Sequence, residues 1–167
     1  MLALALCIGA VTATPLASVV HDLPSNACAQ GGVTCDPNRI VAVDLDVPDE
    51  SVDVSTIAAK APHLRRLRLA CADNSRVTGR LTLAEFWAPL AHTLETIHIH
   101  SCPSIRGELP PSAMRQLRNL TIAGTPIGGS ISPSLLSSSL ALSKLELVGT
   151  AVSGRLPSDW SKVPLLR

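Results

Sequence analysis

The sequence predicts an α/β solenoid, in which short turns of chain stack side by side and share one parallel sheet. Three observations lead to this prediction: a leucine pattern recurs along the chain, each full copy contains a glycine two residues after a β-branched residue, and aromatic residues are scarce. Of 167 residues 46% are hydrophobic, yet there are one Phe, two Trp and no Tyr. A core so poor in aromatic residues must be built from aliphatic side chains, which suits thin, regularly layered structures.

The repeated pattern is L-x-x-L-x-L, followed by a β-branched residue, x, Gly, x and an aliphatic residue. Four full copies begin at Leu64, Leu94, Leu117 and Leu142, and an earlier turn keeps only the strand half, from Ile40. These starts are separated by 24, 30, 23 and 25 residues, close to the period of leucine-rich repeats. The x-L-x-L part predicts a short strand with side chains that alternate between two faces. Because one turn cannot bury its own apolar face, the turns must stack.

We therefore expect a right-handed leucine-rich-repeat solenoid, with a short parallel β-sheet on the concave side and 3₁₀ turns or short helices on the convex side. The stacking places Leu67, Ile97, Leu120 and Leu145 in consecutive rungs of one sheet. Each repeat glycine would permit a backbone bend after the strand. The connecting segments carry large apolar residues that we expect in the core: Phe86, Trp87, Met114, Leu135 and Trp160.

Residues 1–13 are interpreted as a secretory signal peptide. The apolar run from Leu2 to Ala13 is too short to span a bilayer, and Val11 and Ala13 fit cleavage after Ala13. The usual basic segment is missing, and a buried first helix is the alternative. We assign residues 14–39 to an N-terminal cap and 40–167 to about five repeats. The last repeat is cut short, as expected of a fragment or a truncated gene product.

Four cysteines follow the predicted leader. An even number in a secreted chain indicates disulfides, but spacing alone leaves three pairings open. Cys71 and Cys102 fall at similar heights in adjacent turns, where a disulfide and two buried thiols fit the pattern equally well.

The stretch LELVGTAVSGRLPSDWSKVPLL, from Leu145 to Leu166, has Gly-Thr after its strand, then V-S-G-x-L-P and a Trp three residues after the Pro. It resembles the repeats of trypanosomatid surface antigens, typified by the Leishmania promastigote surface antigen family, and more broadly plant-type extracellular leucine-rich repeats. The resemblance covers about residues 40–167. It implies a secreted or cell-surface protein whose repeats contact host or vector molecules. It also implies a cap closed by a disulfide between Cys28 and Cys35, which have the C-x₆-C spacing.

The residues that alternate with the core leucines are expected to line the concave face and to bind a protein or glycan ligand. The candidate contact residues are Asp44, Asp46, Arg66, Arg68, His98, His100, Thr121, Lys144 and Glu146. Their charges are mixed and no continuous apolar patch lies among them. The alternative is a sheet face that is merely solvated. Asn119-Leu120-Thr121 is a glycosylation sequon that would place a glycan on the same face.

Charge and motifs exclude several other classes. With 14 basic and 13 acidic residues the chain lacks the basic excess of a nucleic-acid binder. No G-x-S-x-G, H-E-x-x-H or phosphate loop occurs, so we expect no enzyme, no cofactor and no small-molecule substrate. His98 and His100 share a strand face but have no third metal ligand at an obvious spacing. The sequence thus favours a surface or secreted recognition module. An inhibitor of secreted hydrolases and a non-functional gene remnant are the alternatives.

Overall fold

The computed structural model describes residues 32–37, 39–47, 51–71, 76–111, 114–156 and 158. Within these ranges short strands alternate with short helices. The strands are β1 (Val33–Cys35), β2 (Ile40–Val47), β3 (Ser51–Asp53), β4 (Arg66–Cys71), β5 (Arg76–Leu81), β6 (Thr96–His100), β7 (Ile105–Gly107), β8 (Asn119–Ala123) and β9 (Lys144–Val148). The helices are α1 (Ser55–Lys60), α2 (Ala88–Leu90) and α3 (Pro133–Ser138), with a π-helical turn (Leu83–Trp87) before α2.

The larger sheet has six strands in the order β1-β2-β4-β6-β8-β9. All neighbours are parallel except β1, which runs antiparallel to β2. Leu67 pairs with Ile97, Ile97 with Leu120, and Leu120 with Leu145. The prediction that these residues occupy consecutive rungs of one sheet is therefore confirmed, and each turn of chain contributes one strand.

The core lies beneath this sheet and consists mainly of aliphatic side chains. Leu67, Ile97 and Leu120 are fully buried, whereas Leu145 in the last described strand is only partly covered. Phe86, Trp87, Met114 and Leu135 are also fully buried, as predicted. Trp160 lies outside the described residues. The rings of Phe86 and Trp87 meet edge to face, with centroids 4.8 Å apart.

A second sheet, which the sequence did not predict, is formed by β3, β5 and β7. Its strands include the V/I-x-G part of the repeats, where we had expected only a bend. Gly79 has φ +119° and Gly107 φ +134°, backbone angles that side-chain-bearing residues rarely adopt. The earliest turn, whose sequence keeps only the strand half of the pattern, also contributes a strand to this sheet, because β3 pairs with β5 through Val52 and Val77. A bridge between Glu108 and Gly128 extends the same arrangement to the next turn.

Short helical segments lie between β3 and β4, between β5 and β6 and between β8 and β9, as expected of the connecting segments, but no 3₁₀ helix occurs among the described residues. The N–H groups of Phe86 and Trp87 both donate to the Thr82 carbonyl, at 3.1 and 3.0 Å, which closes a π-helical turn. At α3 the Ser132 hydroxyl accepts from the Leu135 N–H at 3.0 Å, the usual cap at a helix N-terminus. No helix in the described ranges is long and apolar enough to cross a membrane. The predicted signal peptide lies outside these ranges, as does most of the predicted cap.

Candidate recognition face

The larger sheet turns alternate side chains of β2, β4, β6, β8 and β9 away from the core. We name this surface the polar sheet face. Its first row contains Ala42, Arg66, Thr96, Asn119 and Lys144. Its middle row contains Asp44, Arg68, His98, Thr121 and Glu146. Its third row contains Asp46, Ala70, His100, Ala123 and Val148. All the predicted contact residues therefore lie on one surface, in three rows that run across the strands.

The middle row brings the most varied chemistry together. Arg68 is in register with Asp44 on one side and His98 on the other. Thr121 lies in register between His98 and Glu146 and is only 5% exposed. This short side chain thus offers a partner very little surface, and Thr121 contributes less to the face than the sequence suggested.

The two cations of β4 differ from the cation of β9 in their partners. Lys144 forms an ion pair with Glu146, with 2.7 Å between Nζ and Oε2. The hydrogen bond from Lys144 lowers the pKa of Glu146, its positive charge adds to the effect, and His98 and His100 contribute smaller charge effects. Arg66 and Arg68 are exposed and form no ion pair with any described residue. The charge of β4 is therefore free to meet a ligand, whereas that of β9 is already engaged.

The two histidines form a stacked pair on β6. Their ring centroids are 6.4 Å apart with an interplanar angle of 27°, and the Ser101 hydroxyl lies 2.8 Å from Nδ1 of His100. Among the described residues no cluster of three or more His, Cys, Asp or Glu side chains is placed to hold a metal ion.

A disulfide fixes one border of the polar sheet face. Cys71 at the end of β4 is bonded to Cys102 just after β6, with Cα atoms 5.0 Å apart, which decides between the disulfide and the two free thiols that the sequence left open. The Cys102 N–H donates to the Thr125 hydroxyl at 3.4 Å, and that hydroxyl donates to the Ala123 carbonyl at 3.2 Å. These contacts secure the strand ends of three neighbouring turns. Cys35 is disulfide-bonded, while Cys28, its predicted partner, lies outside the described residues.

Asn119 occupies the first row and is partly covered. The Ser143 hydroxyl lies within hydrogen-bonding distance of its side-chain oxygen, at 3.2 Å, and of the Arg118 carbonyl, at 3.1 Å. The amide therefore takes part in the contact between β8 and the start of β9. Glycosylation of Asn119 stays a prediction.

Two hollows among the described residues lie outside the polar sheet face, and no sequence pattern predicted either of them. One, of about 330 Å³, lies near the first turns and is lined in part by Asp36, Arg39, His63 and Arg65. The other, of about 630 Å³, lies beside the second sheet and includes Arg80 and Arg106 in its lining. The arginines of the larger hollow occupy x positions of the V/I-x-G-x-L pattern. The pattern does not say which residues of neighbouring turns lie in register.

Comparison with known proteins gives structural matches only. The leucine-rich-repeat ectodomain of the Arabidopsis thaliana receptor kinase SOBIR1 superposes with a TM-score of 0.63 at 17% identity, covering 93% of this chain and 89% of that one. The Arabidopsis receptor kinase HAESA, in complex with the peptide hormone IDA and the co-receptor SERK1, gives 0.52 at 20% identity, covering 92% of this chain and 30% of that one. No family model matches the chain, and a search of curated proteins found no match. At such identities the likeness shows the fold alone: the chain is built of leucine-rich repeats.

Proposed function

We propose that this chain is an extracellular recognition module, of the trypanosomatid surface-antigen type, that binds host or vector macromolecules through its polar sheet face. The proposal rests on the exposure of Arg66 and Arg68 and on their lack of an ion-pair partner within the described ranges. Both are exposed and neither is paired with a described residue. Side chains with no part in the core or in an ion pair are free to serve a partner, and Arg is enriched where proteins bind one another.

The neighbouring residues provide complementary polar groups for such a partner. Asp44 lies beside Arg68 in the sheet, and its side chain is partly exposed. His98 and His100 follow on the other side of Arg68 and can donate or accept. This combination favours a polar protein or glycan surface over an apolar one.

The disulfide supports an extracellular site of action. Disulfides persist in secreted and cell-surface proteins and are rare where thiols are kept reduced. The bond between Cys71 and Cys102 borders the polar sheet face, so an oxidising environment would also keep the border of this face in place. HAESA, which has the same fold, is known in complex with a peptide hormone and a co-receptor. That precedent concerns the fold and names no ligand for this chain.

A direct test is to titrate the fluorescently labelled chain onto cultured mammalian and insect cells, as host and vector surfaces. The variant Arg66→Glu/Arg68→Glu reverses the free charge of β4. We expect saturable binding by the natural chain and a loss of affinity of about tenfold or more in this variant, because reversed charge opposes a surface that had attracted it. Arg115→Glu/Arg155→Glu makes the same change in charge at two exposed positions outside the face and should bind as the natural chain does.

The same assay identifies the chemistry of the ligand. Protease treatment of the cells should abolish binding to a protein ligand, and glycosidase treatment should abolish binding to a glycan. Binding that is not saturable on either cell type, or an equal loss in the two double variants, would contradict the proposal.

A further inference from the structure

The cleft of about 630 Å³ beside the second sheet has features that neither the core nor the polar sheet face explains. It is lined by residues of β5, of β7 and of the turns that follow, none of which belongs to the polar sheet face. Its volume falls in the range of small-molecule sites, about 300–1,000 Å³. A site here would be independent of the recognition face and of the function proposed for it.

Two arginines stand side by side in the cleft. Arg80 of β5 and Arg106 of β7 are in register on adjacent parallel strands, which lie about 4.8 Å apart. Both side chains are exposed and neither forms an ion pair with an acidic side chain among the described residues. Like charges directly opposite one another destabilise a sheet. A bound oxyanion would remove this repulsion and accept charge-assisted hydrogen bonds from both guanidinium groups.

The cleft that the arginines line also contains a glycine, Gly128. In the V/I-x-G pattern the x position holds Thr78, Arg106 and Ser153 in three copies but Gly128 in the fourth. The φ of Gly128 is not in the left-handed region, and a Cβ there would meet no atom closer than the Ala151 carbonyl oxygen at 3.5 Å. The backbone does not require glycine at this place. What its missing side chain provides is space in the cleft.

The remaining groups suit hydroxyls and an apolar ring face. The buried Trp87 donates its Nε1–H to the Glu108 carbonyl at 2.9 Å, which holds the chain at the base of the cleft. The Glu108 side chain is exposed, and its carboxylate can accept hydrogen bonds from hydroxyl groups. Pro111 and Pro126 add apolar wall. Paired cations, a separate acceptor and a small apolar surface together match a ligand with an oxyanion, hydroxyls and a ring.

We propose that this cleft binds an acidic sugar, with its carboxylate or sulfate between Arg80 and Arg106 and its hydroxyls toward Glu108. The ligand is the free sugar. The arginines provide the charge selectivity, and Gly128 provides the space that the ring occupies.

The test compares glucuronate with glucose, which differ by one carboxylate, in NMR titrations of the full chain. The backbone amides of Gly107, Gly128 and Gly129 line the cleft and serve as reporters. We expect saturable shifts with glucuronate and none with glucose over the same concentrations. Arg80→Gln and Arg106→Gln should each weaken binding about tenfold, because each removes a charge-assisted contact.

Two further variants separate charge from space. Arg155 occupies the same place in its repeat as Arg80 but lies outside the cleft, so Arg155→Gln should leave binding unchanged. Gly128→Thr introduces the residue that position 78 already has in the same pattern, and it should weaken binding without any change in charge. Unperturbed shifts of the β4 and β8 amides show that each variant is folded.

Three results would overturn the proposal. Equal affinity for glucose would exclude recognition of the anion. Equal affinity for acetate would reduce the cleft to a carboxylate site without sugar recognition. Binding that survives in both cleft arginine variants, or is lost equally in Arg155→Gln, would place the ligand elsewhere. Because none of these variants alters the polar sheet face, a failure here leaves the cell-binding result unaffected.

Discussion

The two sheets are made by the same repeats, yet they are specified in different ways. In the larger sheet equivalent residues pair, so that Leu67 lies beside Ile97 and Leu69 beside Ile99. In the second sheet they do not: Gly79 pairs with Ile105, and Leu81 with Gly107, two residues away from the alignment of the repeat pattern. The larger sheet is positioned by buried side chains that stack turn upon turn, whereas the second combines buried side chains such as Val52, Val77 and Ile105 with glycine backbone angles that accompany the shifted pairing of β5 and β7.

On the larger sheet, the residues that stabilise the fold are therefore not the ones that we propose bind a partner. Its inward positions hold the turns together and its outward positions are free to vary. On the second sheet the two roles are closer, because Gly107 allows β7 to approach β5 and also lines the cleft. Substitutions in the two sheets should therefore have different signatures.

The largest effect is expected from Leu69→Ala in β4. Leu69 is fully buried between Leu45 and Ile99, and loss of such a side chain leaves a cavity that lowers the free energy of unfolding by about 2–5 kcal/mol. Arg68→Ala, one position earlier on the outward side, should change it by less than about 0.5 kcal/mol. Chemical denaturation of both variants measures the difference. Comparable losses would show that the inward and outward positions are not distinct.

A smaller but still large effect is expected from Gly107→Ala in the second sheet. A Cβ at this residue would meet the backbone oxygen and nitrogen of Leu81 at 2.5 and 2.7 Å, and its φ is +134°. The clash is with backbone and cannot be relieved by a change of rotamer, so we expect a loss of about 2 kcal/mol or more in the free energy of unfolding.

Gly128→Ala is the matched control in the same sheet. It has ordinary contacts and no left-handed φ, and should be neutral or stabilise by about 0.4–1 kcal/mol, because alanine restricts the unfolded chain. If the two alanine variants unfold alike, glycine geometry does not specify the second sheet.

The smallest effect concerns the charges of the polar sheet face. Because Lys144 lowers the pKa of Glu146, the pair contributes stability above the pKa of Glu146 in the unfolded chain and loses it as the pH falls through the folded value. Lys144→Met should raise the pKa of Glu146 toward its ordinary range, measured by an NMR titration of the carboxyl carbon. Arg66→Met, on a strand that is not adjacent, should leave it unchanged. An unaltered pKa in Lys144→Met would mean that the pair does not form in solution.

The larger sheet was predicted closely from the sequence because it follows a repeated pattern of aliphatic and polar side chains. Alternating aliphatic residues at a steady period define both the rungs and the outward rows, so the consecutive rungs of Leu67, Ile97, Leu120 and Leu145 could be named in advance. Burial of Thr121 was not predicted, since it depends on the larger residues on each side of it. The choice between a disulfide and two thiols for Cys71 and Cys102 required the distance between two turns, which spacing along the chain does not provide.

The second sheet and its cleft could not be predicted, because no repeated side-chain pattern indicates them. Its strands are short, and β5 and β7 each contain a glycine, a residue that has no side-chain pattern to read and usually indicates a bend. Its register departs from the repeat alignment, so Arg80 and Arg106 face one another although they occupy different places in the pattern. Only the backbone hydrogen bonds between turns show that they are neighbours.

We propose that the outward rows of the larger sheet, and not the second sheet, contact the macromolecular partner. Site-specific photo-crosslinking tests it most directly, with a benzophenone side chain in place of Thr96, in the first row, or of Thr78, exposed in β5. On cells that bind the chain, we expect a crosslinked product from position 96 that excess unlabelled chain suppresses. We expect no crosslinked product from position 78. A product from position 78 alone, or equal products from both, would contradict it.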